Sequence, residues 1–206
     1  MRQGTDHVRF VAREHSGDAA LLVVAVGYAR LAASLRTLVE LAQPRALFVV
    51  IVAVEALLSL AEIGVLARRF DAVLRVVVGR EAEATAPLAR ALTAVTAFAT
   101  ADCISLPVDE VYPFFCRARF LTYGDADADD ATTAAAMAVA AAHRGNTACG
   151  VRVLLHVETT RSDLISDLEA ATSVIGRAVR LEDLWVTTSV SRGGARKRVS
   201  FVAAGV

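Results

Sequence analysis

The stretch Gly150-Val-Arg-Val-Leu-Leu-His-Val-Glu158 is a largely apolar, alternating run, which predicts a β-strand. A polar turn follows at Thr159-Thr-Arg-Ser-Asp163, and apolar residues then recur at helical spacing from Leu164 to Val179. Acidic residues crowd the start of this helix and arginines its end, as the helix dipole favours. Two more strand-like runs, residues 184–190 and 198–204, close the chain. The C-terminal part therefore predicts a small α/β unit.

Upstream of this unit, strand-like and helix-like segments alternate. Buried strands are predicted at residues 19–26, 46–54 and 71–78, with helices between them at about 29–41 and 55–69. A long helix is predicted at residues 83–101, followed by a strand at 118–123 and an alanine-rich helix that ends at residue 143. Alternation of this kind is typical of βαβ crossovers and a parallel sheet.

The composition argues against several classes of function. The chain carries 22 basic and 22 acidic residues, so its net charge gives no overall attraction to nucleic acid or to a membrane surface. Cys103, Cys116 and Cys149 lie far apart, without a C-x-x-C spacing, and we expect them to be reduced. The start of the chain lacks the pattern of a secretion signal. These features predict a cytoplasmic protein.

One segment, residues 46–67, is long and apolar enough to require a test against a membrane span. Glu55 and Glu62 interrupt it, and an acidic residue at bilayer depth costs a few kcal/mol. Its first half is rich in β-branched residues, as in a strand that is buried on both faces of a parallel sheet. We therefore predict a soluble chain without a transmembrane segment.

The C-terminal residues resemble the C-terminal domain of the FtsZ/tubulin superfamily. The family pattern there reads roughly Gly-Val-Leu-x-x-Ile-Thr-Gly-Gly-x-Asp-Leu-x-Leu-x-Glu and ends in Ala-Thr-Gly. The matching residues here are Gly150-Val151, Thr159-Thr160, Asp163-Leu164, Leu168 and Ala203-Ala204-Gly205. The glycine pair of the family's turn is missing. The resemblance extends from about Leu21 to the end of the chain.

The resemblance implies an α/β fold in two parts. Residues 1–101 would be the remnant of a doubly wound parallel sheet, a truncated nucleotide domain that ends in the central helix at 83–101. Residues 102–206 would form a small two-layer α/β domain. Fewer than twenty residues precede the first buried strand, whereas the family has about half a domain of nucleotide contacts there.

The resemblance also implies a GTP-binding loop after the first buried strand. The family has a glycine-rich signature at this position, because the backbone must approach the phosphates closely. The equivalent stretch here is Gly27-Tyr-Ala-Arg-Leu-Ala-Ala-Ser34, in which one glycine remains and bulky residues would occupy the phosphate space. We predict a simple strand-to-helix turn and no bound cofactor. The alternative is that Arg30 still holds a phosphate, with Gly27 and Ser34 as remnants of the loop.

The second family site is the loop after the central helix, which enters the neighbouring subunit's nucleotide pocket with an Asn-x-Asp-x-x-Asp pattern. The counterpart here is Ser105-Leu-Pro107-Val-Asp109-Glu110, in which serine, proline and glutamate replace the asparagine and the two aspartates. Glu110 could still polarise a water, and Asp109 could substitute by a one-residue shift. We expect ordinary solvated loop acids and no GTPase activity.

Two other candidate sites are weaker. Asp125-x-Asp127-x-Asp129 imitates the start of a calcium loop, but Asp130 and Ala136 stand where glycine and glutamate are required. A solvated helix N-terminus explains this cluster, and the four histidines show no ligand spacing, so no metal site is predicted.

The run from Arg192 to Arg198 is the one dense basic patch. A hairpin tip with solvated charges is the simplest interpretation. An acidic partner tail or an anionic surface is the alternative. Nucleic acid is disfavoured because no aromatic residues accompany the arginines.

These observations predict a non-enzymatic interaction protein of the tubulin-like cytoskeleton, acting in cell division or cell shape. It would bind or modulate a genuine FtsZ-type filament, or self-associate, through the 105–110 loop or the C-terminal sheet. One alternative is a GTP-binding protein whose site is completed by a partner subunit. The other is an α/β domain that binds an unrelated small ligand at the carboxyl ends of its strands.

Overall fold

The computed structural model describes residues 7–13, 20–27, 46–54, 59–68, 70–80, 85–101, 103–107, 110–111, 114–115, 120–143, 151–191 and 196–205. The strands in these ranges are β1 His7–Arg13, β2 Ala20–Gly27, β3 Ala46–Val54, β4 Ala72–Val77, β5 Phe120–Ala128, β6 Val151–Thr159, β7 Leu181–Val190 and β8 Lys197–Gly205. The helices are α1 Leu60–Ala67, α2 Thr85–Thr100, α3 Ala131–His143 and α4 Leu164–Ala178. The helix predicted at 29–41 lies outside the described residues.

The described strands form one sheet in the order β1-β2-β3-β4-β5-β8-β6-β7. Strands β2 to β5 are parallel, and β8 runs antiparallel to both β5 and β6. Because β6 pairs in parallel with β7, both of these strands share the direction of β2 to β5. The predicted α/β class with a mainly parallel sheet is therefore confirmed.

The two halves of the sequence meet within this sheet. Strand β4 pairs with β5 through Val73 and Leu74, opposite Phe120 and Leu121. At the other end, β1 pairs with residues 20–26 along the outer edge of β2. The division into domains at residues 101 and 102 stays a prediction.

Helix α2 packs on one face of the sheet and contacts strands from both halves of the chain. Its apolar stripe is buried against the sheet, as the spacing predicts, and includes Leu88, Ala91, Val95 and Phe98. Phe114 extends this core, because its ring makes edge-on contacts with Phe115 and Trp185, with distances between ring centroids of 4.9 and 5.5 Å. This helix occupies the place of the predicted central helix.

Helices α3 and α4 pack on the opposite face. Alternation along β6 explains the two cores, since Val153 and Leu155 lie in the core with α3 and α4 while Leu154 lies in the core with α2. The alanines of α3 allow its backbone to approach the sheet closely at Gly124. A Cβ atom added there would lie 2.3 Å from the carbonyl oxygen of Ala138 and 2.6 Å from the ring of Phe201.

Two elements differ from their predictions. Strand β5 continues to Ala128, so Asp125 and Asp127 lie on a strand and not in an acidic turn. Helix α1 begins at Leu60, because Ser59 and Glu62 form a capping box: the Glu62 N–H donates to Ser59 Oγ, and the Ser59 N–H donates to Glu62 Oε2. Within the described part of the chain, no helix is long and apolar enough to cross a membrane.

Replacement of Gly124 by alanine tests the close approach of α3. We expect Gly124→Ala to destabilise the fold by about 3 kcal/mol, because the new methyl group overlaps a backbone oxygen. Gly176→Ala is the matched control, since a Cβ on that helical glycine meets nothing nearer than 4.0 Å. We expect it to stabilise the protein by about 0.5–1 kcal/mol. Urea unfolding measures both changes, and equal effects would contradict the packing described.

Candidate functional site

The predicted phosphate-loop position begins where β2 ends. Gly27 is buried and is level with Ala53 of the parallel strand β3, so it lies at the carboxyl ends of these strands. Ligands of open parallel sheets bind at such ends. Arg30 and Ser34 lie outside the described residues, and the predicted loss of the phosphate loop stays a prediction.

The loop after α2 is fixed against β7. Ile104 and Thr188 exchange main-chain hydrogen bonds of 3.3 and 3.2 Å, and the Leu106 N–H donates to the Phe98 carbonyl oxygen at 3.0 Å. Ser105 and Pro107 are exposed in this anchored loop. Two of the predicted catalytic-loop positions, Ser105 and Pro107, thus lie in or next to a segment that the sheet and the central helix hold in place.

Glu110 follows this loop in a short helical turn. Its side chain is exposed, while its neighbour Val111 is fully buried in the core with α2. Asp109 lies outside the described residues. Whether Glu110 takes any part in catalysis stays a prediction.

The two predicted sites lie far apart. Gly27 ends β2, whereas the loop lies beside β7, and five strands of the described sheet stand between them. At about 4.8 Å per strand, the six spacings correspond to roughly 29 Å. One copy of the chain therefore does not bring the loop to its own phosphate-loop position.

The predicted hairpin tip with solvated charges is wrong for the residues at the start of β8. Lys197 is only 8% exposed, and its Nζ lies 2.5 Å from Asp163 Oδ2 and 3.0 Å from Asp167 Oδ2. It also donates to Thr159 Oγ1 at 3.0 Å. The Thr159 hydroxyl in turn donates to Asp167. Lysine, threonine and two acids thus close the turn between β6 and α4, where the family has a glycine pair.

Arg198 makes the corresponding contacts on the other face of the sheet. Its Nε and Nη2 donate to the two oxygens of Asp125 at 2.8 and 3.1 Å. Arg90 of α2 reaches the same carboxylate, with 3.1 Å between its Nε and Oδ2. Asp125 is 10% exposed, so the predicted solvated acidic cluster is wrong at this residue.

The outer members of the acidic cluster behave as predicted. Asp130 accepts a hydrogen bond from the Thr133 N–H at 2.8 Å and so caps α3. Asp129 is almost fully exposed, and Arg196 lies 3.2 Å from Asp127 at the surface. Residues 192–195 of the basic run lie outside the described residues. In the part that is described, each basic side chain of the run has an acidic partner within the chain.

His156 is a core residue whose ring has a hydrogen-bonding partner. Its side chain is buried, and its Nδ1 lies 3.0 Å from Thr187 Oγ1. No group of three or more histidine, cysteine, aspartate or glutamate side chains in the described ranges is placed to hold a metal ion.

The charges around Lys197 shift the pKa values of the groups involved. Burial alone would lower the pKa of Lys197, but its hydrogen bonds to Asp163 and Asp167 outweigh this effect and raise it. The pKa of Asp163 falls to about 2, because its carboxylate accepts hydrogen bonds from Lys197, Thr160 and Ser162. Sequence reasoning missed this cluster, although a single lysine at the start of a predicted strand was a signal that could have been used.

The depressed pKa of Asp163 predicts a specific dependence of stability on pH. The carboxylate stabilises the folded state above its ordinary pKa, and this contribution is lost as the pH falls from about 4 to about 2. Lys197→Met should lower stability at neutral pH, because two neighbouring carboxylates lose their cation. The variant should then lose less further stability than the parent between these pH values. Urea midpoints measured as a function of pH check this.

Arg196→Met is the matched control for that experiment. Arg196 pairs only with exposed aspartates, and such surface pairs contribute about 0–1 kcal/mol. Between about pH 4 and pH 2, Arg196→Met should lose as much stability as the parent does. If Lys197→Met lost as much stability as the parent over this pH range, the proposed origin of the pKa shift would be contradicted.

Comparison with known proteins finds no matching family model and no matching curated protein. Solved structures do match. The FtsZ dimer of M. jannaschii superposes with a TM-score of 0.60 and 16% identity, over 78% of this chain and 55% of that one. CetZ1 from Haloferax volcanii, a GDP-bound monomer, superposes with a TM-score of 0.57 and 13% identity, over 93% of this chain and 66% of that one.

A third matching structure is a TubZ protofilament. The TubZ protofilament of Bacillus thuringiensis serovar israelensis, in its GTPγS form, gives a TM-score of 0.60 and 11% identity, over 94% of this chain and 63% of that one. The chain thus spans less than two thirds of the length of each of these structures. Taken with the parallel sheet and the central helix, these matches show that the chain has an FtsZ/tubulin-like fold.

Proposed function

We propose that this protein is a non-catalytic, FtsZ/tubulin-like cytoskeletal protein that binds or modulates a genuine FtsZ-type filament in the cytoplasm, in cell division or cell shape. The observation that carries the proposal is the anchored loop after α2. It keeps a defined position beside β7 and exposes Ser105 and Pro107. In the resemblance, this loop is the part that enters a neighbouring subunit.

The anchoring favours docking because the segment around Ser105 is held in place before a partner arrives. The main-chain bonds between Ile104 and Thr188 and the bond from Leu106 to Phe98 hold this segment on both sides of Ser105. A preorganised loop loses little conformational freedom on binding, which leaves more of the contact energy for affinity.

The side chains of the loop favour docking without hydrolysis. Ser105 and Pro107 replace an amide and a carboxylate of the family pattern, and neither can orient or deprotonate a water as a carboxylate does. Glu110 remains as one acid. Several matched structures are dimers or protofilaments, which supports a longitudinal contact with a related subunit or with a second copy.

The loop contact is tested by co-sedimentation with filaments of an FtsZ from the same cell. We expect the parent chain to sediment with the filaments. Ser105→Arg should weaken this binding by at least about tenfold, because it places a charged side chain in the docked surface. Ser173→Arg is the matched control, since Ser173 is exposed on α4, which packs on the other face of the sheet. Failure of the folded parent chain to sediment would overturn the proposal.

The non-catalytic part of the proposal is tested by GTP turnover. We expect no turnover by the chain alone, and Glu110→Gln should leave the turnover of mixed filaments unchanged. A loss of turnover in that variant would assign catalysis to Glu110 and contradict the proposal. Calorimetry measures GTP binding as a second test. GTP binding that occurs only with the partner present would favour a site shared between two subunits.

A further inference from the structure

Strand β7 forms one border of the sheet that the described residues build. Its inner edge pairs with β6 along the strand. On its outer edge, the main-chain bonds between described residues are those of Cys103 and Ile104, and all of them go to Thr188. The segment of β7 before Thr188 therefore has no strand beside it within the ranges that the structure describes.

The main-chain groups that point outward can be identified from the existing bonds. The N–H and C=O of Thr188 face outward, because both bond to Ile104. The Ser191 N–H faces inward, because it donates to the Thr159 carbonyl oxygen of β6. Directions alternate along a strand that pairs on one side, so Leu184 and Val186 also present their N–H and C=O groups outward.

The side chains at this edge provide apolar surface with an acidic end. Leu184 packs into the core with α3 and α4, and Trp185 into the core with α2, yet both remain half-exposed, as does Val186. Glu182 and Asp183 precede them and are exposed. Unpaired edges of this kind accept additional strands.

The acidic residues decide which strand fits. A second copy of β7 would offer these acids no counter-charge, because residues 181–190 contain no lysine or arginine. A segment with basic residues at that end gains attraction instead. We assign it the antiparallel direction, the sense in which Ile104 already pairs with Thr188 at this edge.

We propose that the outer edge of β7, from Glu182 to Val186, binds an extended segment of a partner protein that runs antiparallel to β7 and carries basic residues at its C-terminal end. In this segment, polar and apolar β-branched residues would alternate. Its main chain would form hydrogen bonds with the N–H and C=O groups of Val186 and Leu184. This site is distinct from the proposed filament contact through Ser105 and does not depend on it.

The test uses the whole chain and synthetic peptides, with no filament present. The probe is acetyl-Thr-Val-Thr-Val-Lys-Lys-amide, and one matched peptide has the reversed order while another ends in two glutamates. Trp185 is the only tryptophan of the chain and lies on β7, so its fluorescence reports binding. We expect the first peptide to bind at least about tenfold more tightly than either of the others.

Two variants separate the main-chain contribution from the charge contribution. Val186→Pro removes an outward donor without touching the ladder to β6, and it should abolish binding. The double variant Glu182→Lys and Asp183→Lys should bind the glutamate peptide in preference to the lysine peptide, whereas Glu169→Lys on α4 should change nothing. Equal binding of the three peptides would overturn the proposal. So would a concentration-dependent dimer of the parent that Val186→Pro abolishes, since that result would assign the edge to a second copy.

Discussion

The fold depends on two consecutive basic residues at the start of β8. Strand alternation sends Lys197 and Arg198 to opposite faces of the sheet. Lys197 neutralises Asp163 and Asp167 at the start of α4, and Arg198 neutralises Asp125, which α2 also reaches through Arg90. One strand end therefore ties both helix layers to the sheet. Because Asp167 is largely withdrawn from water, loss of Lys197 would leave its charge without the paired cation, whereas loss of Arg198 would leave Asp125 with Arg90 alone.

The same architecture connects the exposed loop to the interior of the protein. The Leu106 N–H bonds to Phe98, whose ring lies 6.3 Å from that of Phe115, and Phe114 links this aromatic cluster to Trp185 on β7. Close-packed interiors have low compressibility and transmit strain between the elements that pack together. A partner that contacts the loop would therefore act on α2 and β7 together, and the outer edge of β7 is the surface beside that contact.

Local patterns made most of the fold predictable. The alternation in β6 and the helical spacing in α4 depend on near neighbours, and both elements lie where these patterns predict them. Strand β5 was predicted too short because Asp125 and Asp127 favour turns, while the arginines that stabilise them on a strand come from α2 and from the far end of the chain. The burial of Lys197 was missed for the same reason, since Asp163 is 34 residues away. No local pattern contains such partners. The phosphate-loop positions Arg30 and Ser34 stay predictions.

The position of Lys197 has a consequence for chemical work on this protein. It is the only lysine of the chain, and its amine is enclosed by Asp163, Asp167 and Thr159. Reagents that join proteins through lysine side chains act on exposed, uncharged amines, and a raised pKa with this enclosure removes both conditions. We therefore expect no cross-link through Lys197 in mixed filaments, even when the protein is bound to them. Among the described residues, the exposed thiol of Cys103, next to Ile104 in the anchored loop, offers a side chain through which its neighbours can be captured.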